Sequence, residues 1–360
     1  MERIGVAVIG YGLAGSVFHA PLAAATPELE VRAIVTANPE RRRMAERDFP
    51  DARIVADTDR LWNDCADIRL VVVATPNHLH APQTITALDQ GFAVVVDKPM
   101  ALSTAEAGSM LATAARTGGL LSVFQNRRWD SDFLLLREMV ESDRLGGLFR
   151  VESRFERFRR EVDPGSWREA TSPEAGGGLL LDLGSHLIDQ ALLLFGQPAG
   201  VYAEIAQVRP GQLADDDCFL ALSFPGGGRA HLWMSILAAS IGPRWRVWGS
   251  QKALEVWGLD PQEAYVRAGG RPVDAGYGQP DGSQRAVVTT GGEAGPGREV
   301  QLPAGRYRDF YAGMAAAIRG EAAVPVPAQA GWDVLAVIEA ARRSAASGSV
   351  VRPEATPSRT

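Results

Sequence analysis

A chain of 360 residues, 46% hydrophobic and 22% charged, is too long for one ordinary domain and has the balance of a globular protein. A net charge of −6 without a concentrated Lys/Arg block argues against nucleic-acid binding, and no apolar run reaches the roughly 18 residues of a membrane span. Cys65 and Cys218 stand far apart without His or Cys neighbours at zinc spacing, so they read as buried thiols of a cytoplasmic protein, and no metal is expected.

The first ten residues, MERIGVAVIG, already read as a buried strand with no charged leader ahead of it. Strand 4–9 runs into Gly10-Tyr11-Gly12-Leu13-Ala14-Gly15, and a helix is expected over 13–25. This is GxGxxG after a strand and opening a helix, the context in which it signals a dinucleotide site. Gly10 permits the turn, Gly12 lets backbone approach a pyrophosphate, and Gly15 lets helix and strand pack closely. Strand 30–35, helix 39–48, a short strand near Ile54 and helix 59–63 follow. Strand 70–74, helix 81–90, strand 93–96, helix 104–117 and strand 120–124 continue the alternation. That pattern predicts an α/β, doubly wound parallel sheet over residues 1–124.

Ligands bind beyond the carboxyl ends of such strands. An NAD site usually has Asp or Glu about 20 residues after the glycines, on the ribose 2′-hydroxyl. Thr36 stands there instead, in Val35-Thr36-Ala37-Asn38-Pro39-Glu40-Arg41-Arg42. Thr36 and Asn38 could donate hydrogen bonds to a 2′-phosphate, with Arg41 and Arg42 in reach. NADP is therefore expected over NAD, with NAD possible. Thr75-Pro76-Asn77 ends one buried strand and Asp97-Lys98-Pro99 another, which places both beside the cofactor.

After Phe124 the pattern changes. Helix 132–142 leads to strand 148–159, a Gly/Pro-rich loop and the segment GGGLLLDLGSHLIDQALLLFG, residues 176–196. Helical spacing there puts Asp182, His186 and Asp189 on one face. Two readings stay open from the segment alone: a capping Asp with a hydrogen-bonded core His, or an acid/base pair. Strands 200–208, 218–224, 230–237, 244–248 and 253–257 then come in succession, predicting an antiparallel sheet and an α+β domain over 125–350. Residues 259–304 give no clear pattern; helices 307–318 and 328–345 close the fold, and 351–360 are expected to form a flexible tail. Alternating apolar residues such as those in 230–237 would leave an exposed patch on the sheet's open face, so a homodimer or homotetramer through that sheet is expected.

GYGLAG at 10–15, ATPNHLH at 74–80, DKP at 97–99, NRRWD at 126–130 and GGGLLLDLGSHLID at 176–189 together resemble the Gfo/Idh/MocA oxidoreductases over essentially the whole length. The branch that looks most similar holds the NADP-dependent scyllo-inositol dehydrogenases. The resemblance implies a catalytic set of Lys98, Asp182 and His186, with Asn126 and Arg128 on the substrate wall. It also implies that His80 and the pair Trp167-Arg168 lie by the cofactor. The family usually has Glu where this chain has Asp97, which withdraws the carboxylate by one methylene. The implied substrate is a polyol or sugar; a non-catalytic NADP-binding regulator, or a dehydrogenase of an unrelated ketone, is the alternative.

Overall fold

The computed structural model describes residues 2–162, 169, 171–292 and 297–355. Strands β1 (Ile4–Ile9), β2 (Leu29–Val35), β3 (Arg53–Val55), β4 (Leu70–Val73), β5 (Ala93–Val96) and β6 (Leu121–Val123) form a wholly parallel sheet in the order β3-β2-β1-β4-β5-β6. The β4 and β5 runs, LVVV and AVVV, are almost entirely buried, as strands covered by helices on both faces must be. Strand order reverses between β1 and β4, and a crevice opens at their carboxyl ends.

The helix after β1 is not one α-helix. Residues Ala14–His19 form a π-helical turn, followed by α1 (Ala20–Ala24). Helix α2 (Pro39–Asp48) begins at its proline, with Asn38 Oδ1 accepting from the backbone N–H of Glu40 and Arg41 as the N-cap. Helices α3 (Thr58–Asn63), α4 (His80–Asp89) and α5 (Thr104–Thr117) complete this layer.

The second sheet runs β14-β13-β12-β11-β7-β10-β9-β8. Its strands are β7 (Leu148–Glu156), β8 (Gly200–Ala206), β9 (Asp217–Ser223), β10 (Arg229–Ser235), β11 (Trp245–Gly249), β12 (Lys252–Trp257), β13 (Arg285–Thr290) and β14 (Arg298–Val300). Pairing among these strands is antiparallel except between β7 and β10, which run parallel. Helices α6 (Ser131–Glu141), α7 (Ser185–Phe195), α8 (Gln262–Arg267), α9 (Arg308–Ile318) and α10 (Ala328–Ser347) accompany it. Strands β13 and β14 and helix α8 come from the stretch without a clear pattern, where short elements alternate with turns.

The expected aliphatic patch on the open face is corrected. Ala230, Leu232 and Met234 of β10 are buried on the side of the sheet covered by α7. The opposite face carries aromatic rings and guanidiniums instead: Arg154 lies 4.0 Å from the Trp233 ring centre and Arg150 3.8 Å from that of Trp248. The expected tail also starts too early, because Val351 exchanges backbone hydrogen bonds with Val201.

Helix α10 packs on β8 and α7, yet it also lies against β6 and α5 of the first sheet's layer. Trp332 Nε1 donates to Thr104 O at 3.1 Å, and Thr104 N donates to Glu339 Oε1 at 2.8 Å. A side chain at Gly331 would meet Val123 and Met100 within 3 Å, so only glycine fits this crossing. Among the described residues, no helix is long and apolar enough to cross a membrane.

Candidate active site

The first cavity is the crevice at the β1 and β4 ends. Gly10 has φ +98°, and a Cβ there would lie 2.5 Å from Ala74 O. A Cβ on Gly15 would lie 2.0 Å from Gly10 O, so helix and strand touch backbone to backbone. Gly12 is different: its nearest neighbour would be the Arg41 guanidinium at 3.7 Å. The turn is thus packed from behind and bare in front, where a pyrophosphate would sit. Backbone and side chains of Tyr11, Leu13, Ala14, Thr36, Asn38 and Arg41 line this cavity, as do Thr75, Pro76, Asn77 and Asp97. Arg42 instead pairs along its helix with Glu46 at 2.9 Å and is withdrawn from the ligand.

His80 is a correction. It is buried outside the cavity lining, with Nδ1 2.8 Å from Pro99 O and Nε2 2.9 Å from Thr75 O. Both ring nitrogens face carbonyl oxygens of the loops after β4 and β5, which leaves neither turned to a cofactor. Burial lowers its pKa, opposed by Asp97 and the two carbonyls. Asn77 reaches the other half of the molecule, donating to Gly176 O at 3.2 Å, and Thr75 Oγ1 donates to Gln83 Oε1 at 2.7 Å. Trp167 and Arg168 lie outside the described residues.

The second cavity, about 220 Å³, lies between the two sheets and meets the first at Leu13, Ala14 and Asp97. Lys98, Asn126, Asp182 and His186 line it. Lys98 Nζ donates to Asp182 Oδ1 at 2.9 Å and to the Asp182 carbonyl at 2.6 Å. That carbonyl belongs to a π-helical turn, Leu180–Gly184, which precedes α7. Such turns break the regular backbone ladder and recur at functional sites. His186 is 4% exposed, and its Nδ1 is buried without a hydrogen-bond partner, leaving Nε2 as the nitrogen available to the cavity. Burial pushes its pKa well below the usual range, and Lys98, Arg127 and Arg244 push it further.

Asp189 and Arg128 do not join this site. They form a buried bidentate pair, Nε to Oδ2 2.8 Å and Nη2 to Oδ1 2.6 Å. A buried carboxylate needs such a partner, and the pairing turns Arg128 away from the substrate wall. The cavity takes Arg127 instead, held by Asp130 and Glu263, each at 3.3 Å. The doubled arginine of NRRWD was the available signal, since neighbours in a tight turn point different ways. Glu263 had none, being on α8 in the unread stretch.

Asp97 lies where the cavities meet. Its Oδ1 accepts from Lys98 N at 2.8 Å and lies 3.6 Å from His19 Nε2, a Coulombic contact longer than a hydrogen bond. Burial pushes the carboxyl up, but His19 and Lys98 outweigh it, so the group stays a carboxylate. His19, unremarked in the sequence, is anchored by Tyr311 of α9, Nδ1 to the hydroxyl oxygen at 2.6 Å.

Comparison with known proteins agrees with this two-domain fold. Residues 4–125 match the oxidoreductase family's NAD-binding Rossmann fold and residues 137–352 its C-terminal alpha/beta domain. The chain is 39% identical to the uncharacterized oxidoreductase YdgJ of Escherichia coli, covering 96% of this chain and 97% of that one. It is 37% identical to the NADP(+)-dependent scyllo-inositol 2-dehydrogenase IolW of Bacillus subtilis, covering 96% and 94%. The solved structure of yvaA from Bacillus subtilis superposes with a TM-score of 0.91 at 35% identity, covering 98% and 99%. The chain is an oxidoreductase with a dinucleotide-binding Rossmann domain, and it belongs to the Gfo/Idh/MocA family.

Proposed function

We propose that the chain transfers a hydride between NADP(H) and a secondary alcohol or ketone of a polyol or sugar, with scyllo-inositol the first to test. One observation carries this reading: Lys98 is joined to Asp182 beside His186, where the cavity meets the dinucleotide crevice. The bare turn at Gly12 suits a pyrophosphate, and Arg41 above it suits a 2′-phosphate at a strand end that carries no acid. The relative IolW is named for NADP(+), which supports the same preference.

A bound nicotinamide supplies the hydride acceptor or donor. The protein's part is to manage the proton and the developing charge. A secondary hydroxyl is too weakly acidic to ionise unaided, so His186 Nε2 takes its proton during oxidation. The Lys98 ammonium hydrogen-bonds the same oxygen and stabilises the alkoxide as it forms. Asp182 orients that ammonium and can accept from a neighbouring hydroxyl. In ketone reduction His186 returns the proton. Because the imidazole pKa is depressed, oxidation should hold its rate through neutrality and fall only at acid pH. Reduction, which needs the protonated form, should rise there.

His186→Ala should lower turnover by a factor on the order of 10² to 10⁴. NADPH binding, followed by fluorescence titration, should be unchanged. A panel of polyols and sugars with both cofactors identifies the substrate for that assay. Near-normal turnover in the variant would return His186 to a packing role. The open face of the second sheet, where indoles lie under guanidiniums, has the composition of an interface core. It is therefore proposed to join two copies into a dimer, or four into a tetramer; a monomer by light scattering at micromolar concentration would sink this.

A further inference from the structure

Beneath the helix that carries His186 lies a charged layer, of which Arg127 lines the cavity while Gln190 and Arg244 do not. Gln190, one turn after His186 on α7, is fully buried. Its Nε2 donates to Arg127 O at 2.9 Å, and its Oε1 accepts from Arg244 Nη2 at 2.7 Å. Arg244, 2% exposed just before β11, also donates to Ser153 Oγ, and its Nε lies 3.3 Å from Asp132 Oδ2. The guanidinium carbons of Arg244 and Arg127 lie 4.3 and 4.7 Å from the Phe155 ring centre. His186 meets the same ring edge-on, with centroids 6.4 Å apart.

We propose that Arg244 is a positioning residue for His186: through Gln190 it fixes the rotation of α7, and it holds a positive charge against the Phe155 ring that His186 meets edge-on. This rests on the reading of His186 as the base. Cations from three different elements act on the imidazole ring. Lys98 faces it from the end of β5, already engaged by Asp182. Arg127 faces it from the turn Asn126–Trp129, engaged by Asp130 and Glu263. Arg244 faces it from the second sheet, engaged by Asp132. On α7 itself, Asp189 is taken by Arg128. Each carboxylate named here already holds a cation of its own, while burial and then Lys98, Arg127 and Arg244 all disfavour the imidazolium. A lysine could supply the charge of Arg244 but not its fork to Ser153 and Gln190.

Gln190→Glu tests the charge, because it sets a carboxylate against Arg244 one turn from His186, with the bond to Arg127 O lost as well. The His186 signal in ¹⁵N-histidine NMR, assigned by its loss in His186→Asn, is titrated in parallel with kcat/KM for alcohol oxidation. The imidazole pKa should rise by about one unit, a tenfold change in protonation ratio, and the acid limb of the rate profile should move with it. KM for NADP⁺ should stay constant. A folded Gln190→Glu variant with an unmoved NMR titration would overturn the proposal. A moved titration with an unmoved rate profile would overturn His186 as the base, and the positioning role of Arg244 with it. Arg244→Lys keeps the charge and drops the fork, so kcat should fall about tenfold with the acid limb in place. If Gln190→Glu does not fold, an unchanged kcat in Arg244→Lys overturns the proposal.

Discussion

The two cavities of this enzyme are built from different materials. The cofactor crevice is largely backbone: a glycine turn, a capped helix start and two strand ends, each a run of neighbouring residues. The cavity behind it sets charged side chains that hold one another among apolar ones, drawn from both sheets' layers and from residues far apart in the chain. A backbone site fixes one ligand shape and tolerates little change. A side-chain site can be retuned one ion pair at a time, which is how one dinucleotide fold can serve many substrates.

Three substitutions probe that contrast, beginning with the largest effect. Gly15→Val forces a Cβ into the space 2.0 Å from Gly10 O and should abolish NADPH binding altogether, as read by fluorescence titration. Retained binding would show that the crevice is less rigid than its backbone contacts imply. Arg128→Met leaves Asp189 buried without its partner and should cost about 3–5 kcal/mol of stability in a denaturant melt. KM for the alcohol should stay put in that variant. A raised KM with normal stability would place Arg128 in the cavity after all. Arg41→Ala should lower kcat/KM with NADP about tenfold, the worth of one charge-assisted hydrogen bond, and leave NAD unaffected. Equal losses with both cofactors would show that Arg41 does not read the 2′-phosphate.

The same contrast explains what the sequence could disclose. GYGLAG, the Thr75 turn and Asp97-Lys98 were legible because local periodicity and turn chemistry dictate them. Asp182 and His186 were legible as a pair on one face. Asp189 has the same helical spacing, but spacing along a helix says nothing of its partner, an arginine arriving from another element. His80 misled for a similar reason: its carbonyl partners lie on two separate loops. Arg127, Glu263 and His19 act through contacts of long sequence separation, to which no local pattern is sensitive. The open face of the second sheet was anticipated, but its chemistry was not. Register decides which half of an alternating strand is covered, and the aliphatic half of β10 went under the helix.

Helix α10 bears on how the molecule comes into being on the ribosome. Its Gly331 fits against Val123 and Met100, and Thr104 is bonded by both Trp332 and Glu339. The first sheet's strands therefore leave the exit tunnel with one flank uncovered. The helix that will cover it has yet to be translated. A nascent dinucleotide domain must wait for a helix encoded far beyond its own last strand, and its apolar flank is a natural client for chaperones in the interval.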